Sequence, residues 1–339
     1  MSRAQLTSTV EQNTGGAVSP YVAGKNFLIN GGFDIWQRGT SGFSTLGAYT
    51  ADRWFGSGAN TITYSQETTL VPTGFKYAVK FLTSSTGAYG ELYQAIENQT
   101  VVLMAGKTVT LSGYVLANST YTGNAVLGIQ TNTTVDTISG GTWTEVVYAN
   151  ITPSTSTWQR FSVTYTIPST GIYGVRVRLG NTVTQNSGAA LYWAGVQLEI
   201  GSVATPFSRA GGTLSGELDA CQRYYYRVPL AGNVGIQFTF SGNATMAATV
   251  NFPTVMRATP TGFTNINSFT TSYSPTATQI YLNAYYVGNL SGTFGSATAS
   301  AGSTTLGGLS LYSWTSPTTG LPYSIYGGSS CYLDWSAEL

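Results

Sequence analysis

Short runs rich in valine, isoleucine, threonine and aromatic residues recur along this chain between stretches of glycine, asparagine, serine and proline. Helical periodicity is almost absent, and in residues 109–115 and 161–167 apolar and polar residues alternate as a half-buried strand requires. Seven runs predict strands: 61–64, 77–82, 108–116, 125–130, 159–167, 174–179 and 191–199. So many strands within one stretch predict an all-β sandwich.

The length of 339 residues corresponds to about two domains at ~150 residues each. Two successive glycines, Gly211 and Gly212, predict a linker at 210–216, because they would end a strand and free the backbone. We therefore expect a sandwich domain at 24–209 and a smaller C-terminal β domain at 217–339. Residues 214–227 predict one short helix at the start of that second domain.

Two segments predict contacts beyond the single chain. Residues 258–333 are 76 successive positions without a charged side chain, which favours a packed oligomer over a monomer surrounded by water. Residues 1–23 show no strand or core pattern, and we interpret them as an extended arm that docks on other proteins. A mobile tail with no partner is the alternative.

The charge balance argues against several classes of partner. Fourteen basic and 13 acidic residues give a net charge of +1, and no basic run could neutralise a row of phosphates, so nucleic acid is not expected. No apolar run approaches the ~20 residues that cross a bilayer, and Glu11 lies where a secretion signal needs apolar residues. We expect synthesis in the cytoplasm and no membrane insertion.

The chain contains no histidine, which excludes Ser-His-Asp and Cys-His schemes and the commonest zinc ligand. Any catalysis would rest on carboxylate pairs, as in glycosidases. Asp52 instead lies in a segment dense with Trp36, Arg38, Arg53 and Trp54, where an ion pair with Arg38 would hold strand ends together. We interpret these five residues as a structural core motif and expect no enzyme activity.

Several strings occur in a fixed order: NFLINGGFDIWQRGT (26–40), YTADRW (49–54), YQAIE (93–97), AGKTVTLS (105–112), QLEIGSVATPF (197–207), CQRYY (221–225) and AEL (337–339). Together they resemble a family of tailed-bacteriophage virion proteins, mostly tail fibres and minor structural proteins. The first domain of that family is similar to a carbohydrate-binding-module jelly roll. The resemblance implies a virion component, often a homotrimer, that binds a receptor or glycan, and it does not imply catalysis.

Jelly rolls of this type often hold structural calcium through backbone carbonyls and one or two carboxylates. Asn30, Asp34 and Glu199 are the candidate ligands here, although the chain lacks a DxDxDG spacing. We expect no other cofactor or metal.

Sugar recognition needs exposed aromatic faces that stack on a pyranose ring. Trp143 lies in the glycine-rich sequence 139–144 and Tyr89 in a similar loop, so both are candidate glycan-binding residues. Packing of Trp143 against a neighbouring subunit is the alternative. Core positions are predicted for the tryptophans in strand-like strings, which are Trp36, Trp54, Trp158 and Trp193.

These observations lead to a hypothesis with two rivals. The chain is predicted to be a fibre-type structural protein of a tailed-phage virion that mediates host attachment through surface glycans. A purely architectural capsid fibre, decoration or tail protein without a host ligand is the first rival. A capsule depolymerase is the second.

Overall fold

The computed structural model describes residues 23–44, 47–58, 61–87, 89–181, 183–230, 232–240, 245–264, 268–269, 279–284, 288–289, 296–301, 303–312, 323–327 and 332–339. The chain forms two compact units, one reaching to Ala220 and including Leu339, the other spanning Cys221 to Glu338. The predicted docking arm, residues 1–23, lies outside the described residues except for Ala23.

The described part of the first unit contains eleven strands: β1 (Ala48–Tyr49), β2 (Phe55–Gly58), β3 (Ile62–Glu67), β4 (Ala78–Thr83), β5 (Gly90–Ile96), β6 (Thr108–Ala117), β7 (Ala125–Asn132), β8 (Thr144–Ile151), β9 (Gln159–Thr166), β10 (Gly174–Asn181) and β11 (Ala190–Ile200). They form a six-stranded sheet in the order β1-β2-β5-β10-β7-β8 and a five-stranded sheet in the order β3-β4-β11-β6-β9. All pairings in both sheets are antiparallel. All seven predicted runs are strands, and the prediction of an all-β jelly-roll sandwich is confirmed.

The core lies between the two sheets, because each strand turns alternate residues inward. Leu111 of β6 and Trp193 of β11 contribute from the five-stranded sheet, while Leu127 of β7 and Val177 of β10 contribute from the six-stranded sheet. All four side chains are fully buried. Burial of each apolar side chain contributes about 1.5–3 kcal/mol to the free energy of folding.

The predicted core motif lies beside this core. Trp54 is fully buried, packs 5.1 Å from the Phe33 ring, and donates its indole N–H to the Asn30 carbonyl over 3.0 Å. Asp52 is also buried, and its Oδ1 lies 3.5 Å from Nη1 of Arg38. Arg53 donates to the Ala95 carbonyl on β5 over 2.9 Å, so the motif ties the chain to the six-stranded sheet.

Two helices interrupt the strands among the residues that the structure describes, and the sequence did not predict one of them. Helix α1 (Asn98–Met104) follows β5 and buries Val101 and Met104. Its seven residues are too few for a helical period to stand out in the sequence. Helix α2 (Leu214–Gln222) ends five residues before the predicted end at residue 227, because the next segment pairs as a strand.

The boundary between the two units falls beyond the predicted linker at 210–216. Glu217 of α2 is fully buried, and its carboxylate accepts hydrogen bonds from the backbone N–H groups of Gly211, over 2.7 Å, and Asn30. Burial raises the pKa of Glu217, and these hydrogen bonds offset part of that effect. The first turn of α2 is therefore fixed within the first unit.

The second unit is also built of strands. These are β12 (Tyr225–Pro229), β13 (Gly232–Phe240), β14 (Thr245–Asn251), β15 (Thr261–Thr264), β16 (Ser268–Phe269), β17 (Gln279–Ala284), β18 (Gly288–Asn289), β19 (Ser296–Ala301), β20 (Leu306–Tyr312), β21 (Tyr323–Gly327) and β22 (Tyr332–Ser336). One sheet has the order β12-β22-β15, and a second has the order β16-β17-β21-β13-β14-β20-β19 with β18 beside β17. Trp335 is fully buried and packs on Phe252.

The helices in the described part of the chain are too short or too polar to span a bilayer.

Candidate functional site

A row of residues in register crosses the outer face of the six-stranded sheet, away from the core. Directly paired residues in antiparallel strands point to the same face. One residue from each strand falls in this row: Tyr49, Phe55, Tyr93, Arg178, Gly128 and Tyr148. Strands lie ~4.8 Å apart, so the row is about 24 Å long. Four of its six members are aromatic, and we call it the aromatic row.

At Gly128 the aromatic row has no side chain of its own. A β-bulge between β7 and β8 places Glu145 opposite Gln130, while Val147 pairs with Ile129. Without the bulge, Glu145 would share the inward face of Val147, so the extra residue turns its carboxylate outward. Oε1 of Glu145 lies where a Cβ on Gly128 would be, so a side chain at this position would displace the carboxylate.

Arg178 holds two carboxylates at the centre of this face. Its Nε donates to Oε1 of Glu91 over 2.7 Å and its Nη1 to Oε2 of Glu145 over 2.5 Å. The Tyr93 hydroxyl donates to the other oxygen of Glu91 over 2.5 Å. The Arg178 guanidinium is thereby held between the Glu91 and Glu145 carboxylates.

Arg176, two residues earlier on β10, has a different environment. Its guanidinium lies 4.1 Å from the centroid of the Tyr93 ring and 4.3 Å from that of the Trp143 ring, so two aromatic rings enclose it. Its Nε donates to Oε1 of Gln130 over 2.7 Å, and its Nη1 donates to the Ile138 carbonyl. These contacts hold the guanidinium plane in a fixed orientation.

The loop between β7 and β8 places Trp143 on this face. Asn132 donates to the Gly140 carbonyl over 2.9 Å, and Gly141 adopts a positive φ of 67° that a side chain would strain. The Trp143 indole is half-buried, and its N–H is buried without a hydrogen-bond partner in the described part of the chain, as is Oε1 of Glu145. Buried polar atoms without a partner are uncommon in native proteins.

Tyr89, the second predicted glycan-binding residue, lies at the opposite end of the strands from Trp143. Its side chain is 45% exposed, and it lines a cleft of about 290 Å³ with Glu91, Arg178, Val183 and other side chains. The seven residues of β5 lie between the two ends, a distance of about 23 Å. The two predicted residues therefore flank one face without touching each other.

Burial shifts the protonation equilibria of this face. Desolvation lowers the pKa of Arg176 to about 10, because the enclosing rings replace water. Burial raises the pKa of Glu145, and the charge of Arg178 offsets only part of that rise. Burial, with the nearby Glu91 carboxylate, also raises the pKa of the Tyr93 hydroxyl, which stays protonated as a donor.

The three calcium candidates have separate protein partners. Asp34 accepts two hydrogen bonds from Arg209, at 2.7 and 3.1 Å. Glu199 accepts from the backbone and side chain of Thr205, and the Asn30 side chain bonds to backbone groups. Within the described residues, no group of three acidic or cysteine side chains could hold a metal ion.

The other predicted tryptophans occupy different positions. Trp36, Trp54 and Trp193 are buried. Trp158 is only partly buried, and it packs on Tyr192 on the outer side of the five-stranded sheet, with ring centroids 6.5 Å apart. It is therefore a surface residue of the opposite sheet and not part of the main core, which corrects the prediction for that residue.

Sequence reasoning missed most members of this face: Glu91, Tyr93, Glu145, Tyr148, Arg176 and Arg178. One signal was available, because Arg176 and Arg178 alternate with Val175, Val177 and Leu179 in the sequence VRVRL. Such alternation places two arginines on the outer face of a strand whose inner face is buried. The cross-strand register that brings the aromatic residues together is a long-range property.

A scan of protein-family models finds no match to this chain, and no curated protein matches its sequence. Among solved structures, it is similar to the enzymatically active domain of tailspike protein 4 of bacteriophage CBA120, at 18% identity and a TM-score of 0.36. That match covers 54% of this chain but only 22% of the tailspike chain.

Carbohydrate-binding modules are also similar in structure to about half of this chain. A xylan-binding domain from Paenibacillus barcinonensis matches at 13% identity and a TM-score of 0.35, covering 54% of this chain and 98% of its own. A module solved with β-1,4-galactotriose matches at 14% identity and a TM-score of 0.33, covering 52% and 99%.

Proposed function

We propose that the outer face of the six-stranded sheet binds a glycan. The observation that carries this proposal is the aromatic row, with hydrogen-bonding groups set between its rings. Sugars present apolar C–H faces, which stack on aromatic rings, and hydroxyls, which need polar partners. Tyr148 is 55% exposed and offers a stacking surface, while Gln130 and Glu145 lie beside it in the sheet.

The shape of the face supports an extended ligand. The aromatic row runs about 24 Å across the strands, and the cleft at Tyr89 continues the face toward one end of them. At Gly128, the fifth of the six members, the Glu145 carboxylate occupies the place of a side chain. A chain of several sugar units can lie along such a row and contact more than one ring.

We further propose that this chain is a fibre-type structural protein of a tailed-phage virion and that glycan binding attaches the particle to its host. The ordered strings between residues 26 and 225 support this, because they resemble virion proteins of that kind. Immunogold labelling of intact particles with an antibody to this chain tests the proposal. Absence of label from particles would overturn the virion role and leave glycan binding to be judged separately.

The glycan proposal is tested on an array of bacterial surface polysaccharides and plant oligosaccharides. Wild-type chain should bind a subset, and Tyr148→Ala should weaken that binding about tenfold, because one aromatic contact is lost. Tyr173→Ala is the matched control, since Tyr173 is a similarly exposed tyrosine (47%) outside the aromatic row. Equal binding by both variants, or no binding by wild type, would contradict the proposal.

Binding without cleavage is the form of the proposal that the contacts favour. Glu91 and Glu145, the two carboxylates on this face, both engage Arg178, whereas a glycosidase needs one carboxylate to act as acid and one to activate water or attack the sugar. Reducing-sugar release from bound polysaccharide would identify a depolymerase. We expect none above a no-protein blank.

We also propose that the chain assembles as a homotrimer through its second unit. The 76-residue uncharged span supports this, because little charge repulsion keeps copies apart. Light scattering on the purified chain should give about three times the single-chain mass of 35.8 kDa. A monodisperse single-chain mass would contradict assembly.

We propose that residues 1–23 dock the chain on other virion proteins. A chain lacking residues 2–23 should therefore fail to enter virus particles, and its full incorporation into particles would contradict the docking arm.

A further inference from the structure

Arg176 keeps hydrogen-bonding capacity that the described part of the chain does not use. An arginine side chain carries five N–H donors. Nε bonds to Gln130 and Nη1 to the Ile138 carbonyl, while Nη2 has no partner among the described residues. Nη2 is not fully buried, so this edge of the guanidinium reaches solvent.

The two arginines of the face differ in how their charges are balanced. Arg178 contacts carboxylates on both sides, at 2.7 and 2.5 Å. Arg176 has no carboxylate within 4.0 Å in the described part of the chain, and its polar partners are a neutral amide and a carbonyl. Its positive charge is therefore half-buried between two rings without a direct counter-charge.

A half-buried cation without a counter-charge is destabilised relative to one that meets an anion, because burial removes solvating water. A carboxylate that approaches Nη2 would restore that interaction through a charge-assisted hydrogen bond. Tyr93 and Trp143 would border the approach, since both rings lie against the guanidinium. The acidic side chains Glu91 and Glu145 are neutralised in part by their shared contact with Arg178.

We propose that the glycan bound on this face carries a carboxylate, as uronic and sialic acid residues do, and that the open edge of Arg176 binds it. The inference rests on the proposed glycan-binding function and names its substrate class. It assigns Arg176 as the specificity-determining residue. Tyr93 and Trp143 position its guanidinium.

The test compares acidic glycans with their carboxyl-reduced counterparts. Arrays would display polygalacturonate, polysialic acid and uronate-containing capsular polysaccharides, each beside its carboxyl-reduced neutral form, together with neutral glucans, galactans and xylans. Wild-type chain should bind at least one acidic member and lose about tenfold in affinity when its carboxyls are reduced. This comparison needs no variant, so it does not depend on the folding of a mutant.

Variants then locate the effect. Arg176→Gln should bind the acidic glycan and its reduced form with equal affinity, whereas Lys76→Gln, which removes the same charge from an exposed residue, should keep the tenfold preference. Arg176→Lys keeps the charge but loses the planar group held between the rings, so we expect weaker binding with the preference retained. Thermal unfolding of each variant checks that the fold persists.

The outcomes separate this inference from the function on which it rests. Binding only to neutral glycans, or equal binding to acidic and reduced forms by wild type, would overturn the carboxylate proposal and leave glycan binding intact. A preference that survives Arg176→Gln would overturn the role of Arg176. No binding to any glycan would overturn the proposed function itself, and this inference with it.

Discussion

The two outer faces of the sandwich have similar strands but differ in what covers them. On the five-stranded sheet, residues 201–208 fold back across the strands and form hydrogen bonds with polar side chains of β11. Gln197 donates to Glu199 over 2.7 Å, and the Thr205 hydroxyl donates to Glu199 over 2.5 Å. Phe207 packs on Phe75, with ring centroids 5.1 Å apart. The segment that follows β11 thus covers part of the outer face of the five-stranded sheet.

On the six-stranded sheet, the chain provides only partial cover. Ile138 packs near Tyr93 with Trp143, while Tyr148 at the sheet edge stays 55% exposed. Nη2 of Arg176 faces solvent without a partner in the described residues, whereas the unpaired atoms of Trp143 and Glu145 are buried, as is Nε of Arg160 on the five-stranded sheet. Aromatic or polar composition alone therefore does not mark a binding face. A binding face keeps hydrogen-bonding capacity and exposed rings that the chain itself leaves unused.

The largest effect is expected in the core that both faces share. Trp54→Ala removes a fully buried indole and its hydrogen bond to Asn30, and should lower the free energy of unfolding by about 3–5 kcal/mol. Urea unfolding followed by circular dichroism measures this. A loss below ~1 kcal/mol would show that the Asn30–Trp54 region doesn't support the sandwich.

A smaller effect is expected on the covered face. Thr205→Val removes the hydroxyl that donates to Glu199 while keeping the side-chain volume, and should lower the free energy of unfolding by roughly 1.5–3 kcal/mol, as for a hydrogen bond to a charged group. Glycan binding per folded molecule should not change. Reduced binding at unchanged stability would mean that the covered face contributes to recognition.

On the open face, the same size of effect should appear in binding. Trp143→Ala should weaken glycan binding by roughly 1–3 kcal/mol, with a smaller loss of unfolding free energy than Trp54→Ala causes. Trp158→Ala is the control, because Trp158 is a partly buried tryptophan on the opposite sheet. Calorimetric titration and thermal melts on both variants measure this. Destabilisation by Trp143→Ala with unchanged binding would make Trp143 a packing residue.

The smallest effect concerns pH. Burial raises the folded-state pKa of Glu145 above the ordinary value of 4.5, so the folded protein binds this proton more tightly than the unfolded chain. Its contribution is present at low pH and is lost as the pH rises through the raised pKa. Between pH 4.5 and the raised pKa, the melting temperature of Glu145→Gln should therefore fall less with rising pH than that of wild type. Parallel pH profiles would contradict the environment described for Glu145.

The sequence predicted the strands of the sandwich well because their alternation is a local property. It predicted Trp143 and Tyr89 from loop glycines, and both lie on the open face. It could not predict that β8 brings Tyr148 into register with Gly128, or that a bulge turns Glu145 outward, because both depend on pairing between distant strands. Likewise, Glu217 joins the first unit through contacts with Asn30, which no linker pattern reveals.

Amide hydrogen exchange with and without a glycan captured from the array shows on which outer face of the sandwich the ligand lies. Strands β8 and β9 are matched reporters, because each has eight residues and forms an edge, β8 of the six-stranded sheet and β9 of the five-stranded sheet. We expect slower exchange in β8 and in the loop 133–143, with no change in β9. Protection of β9 with no change in β8 would place the ligand on the covered face and contradict glycan binding on the six-stranded sheet.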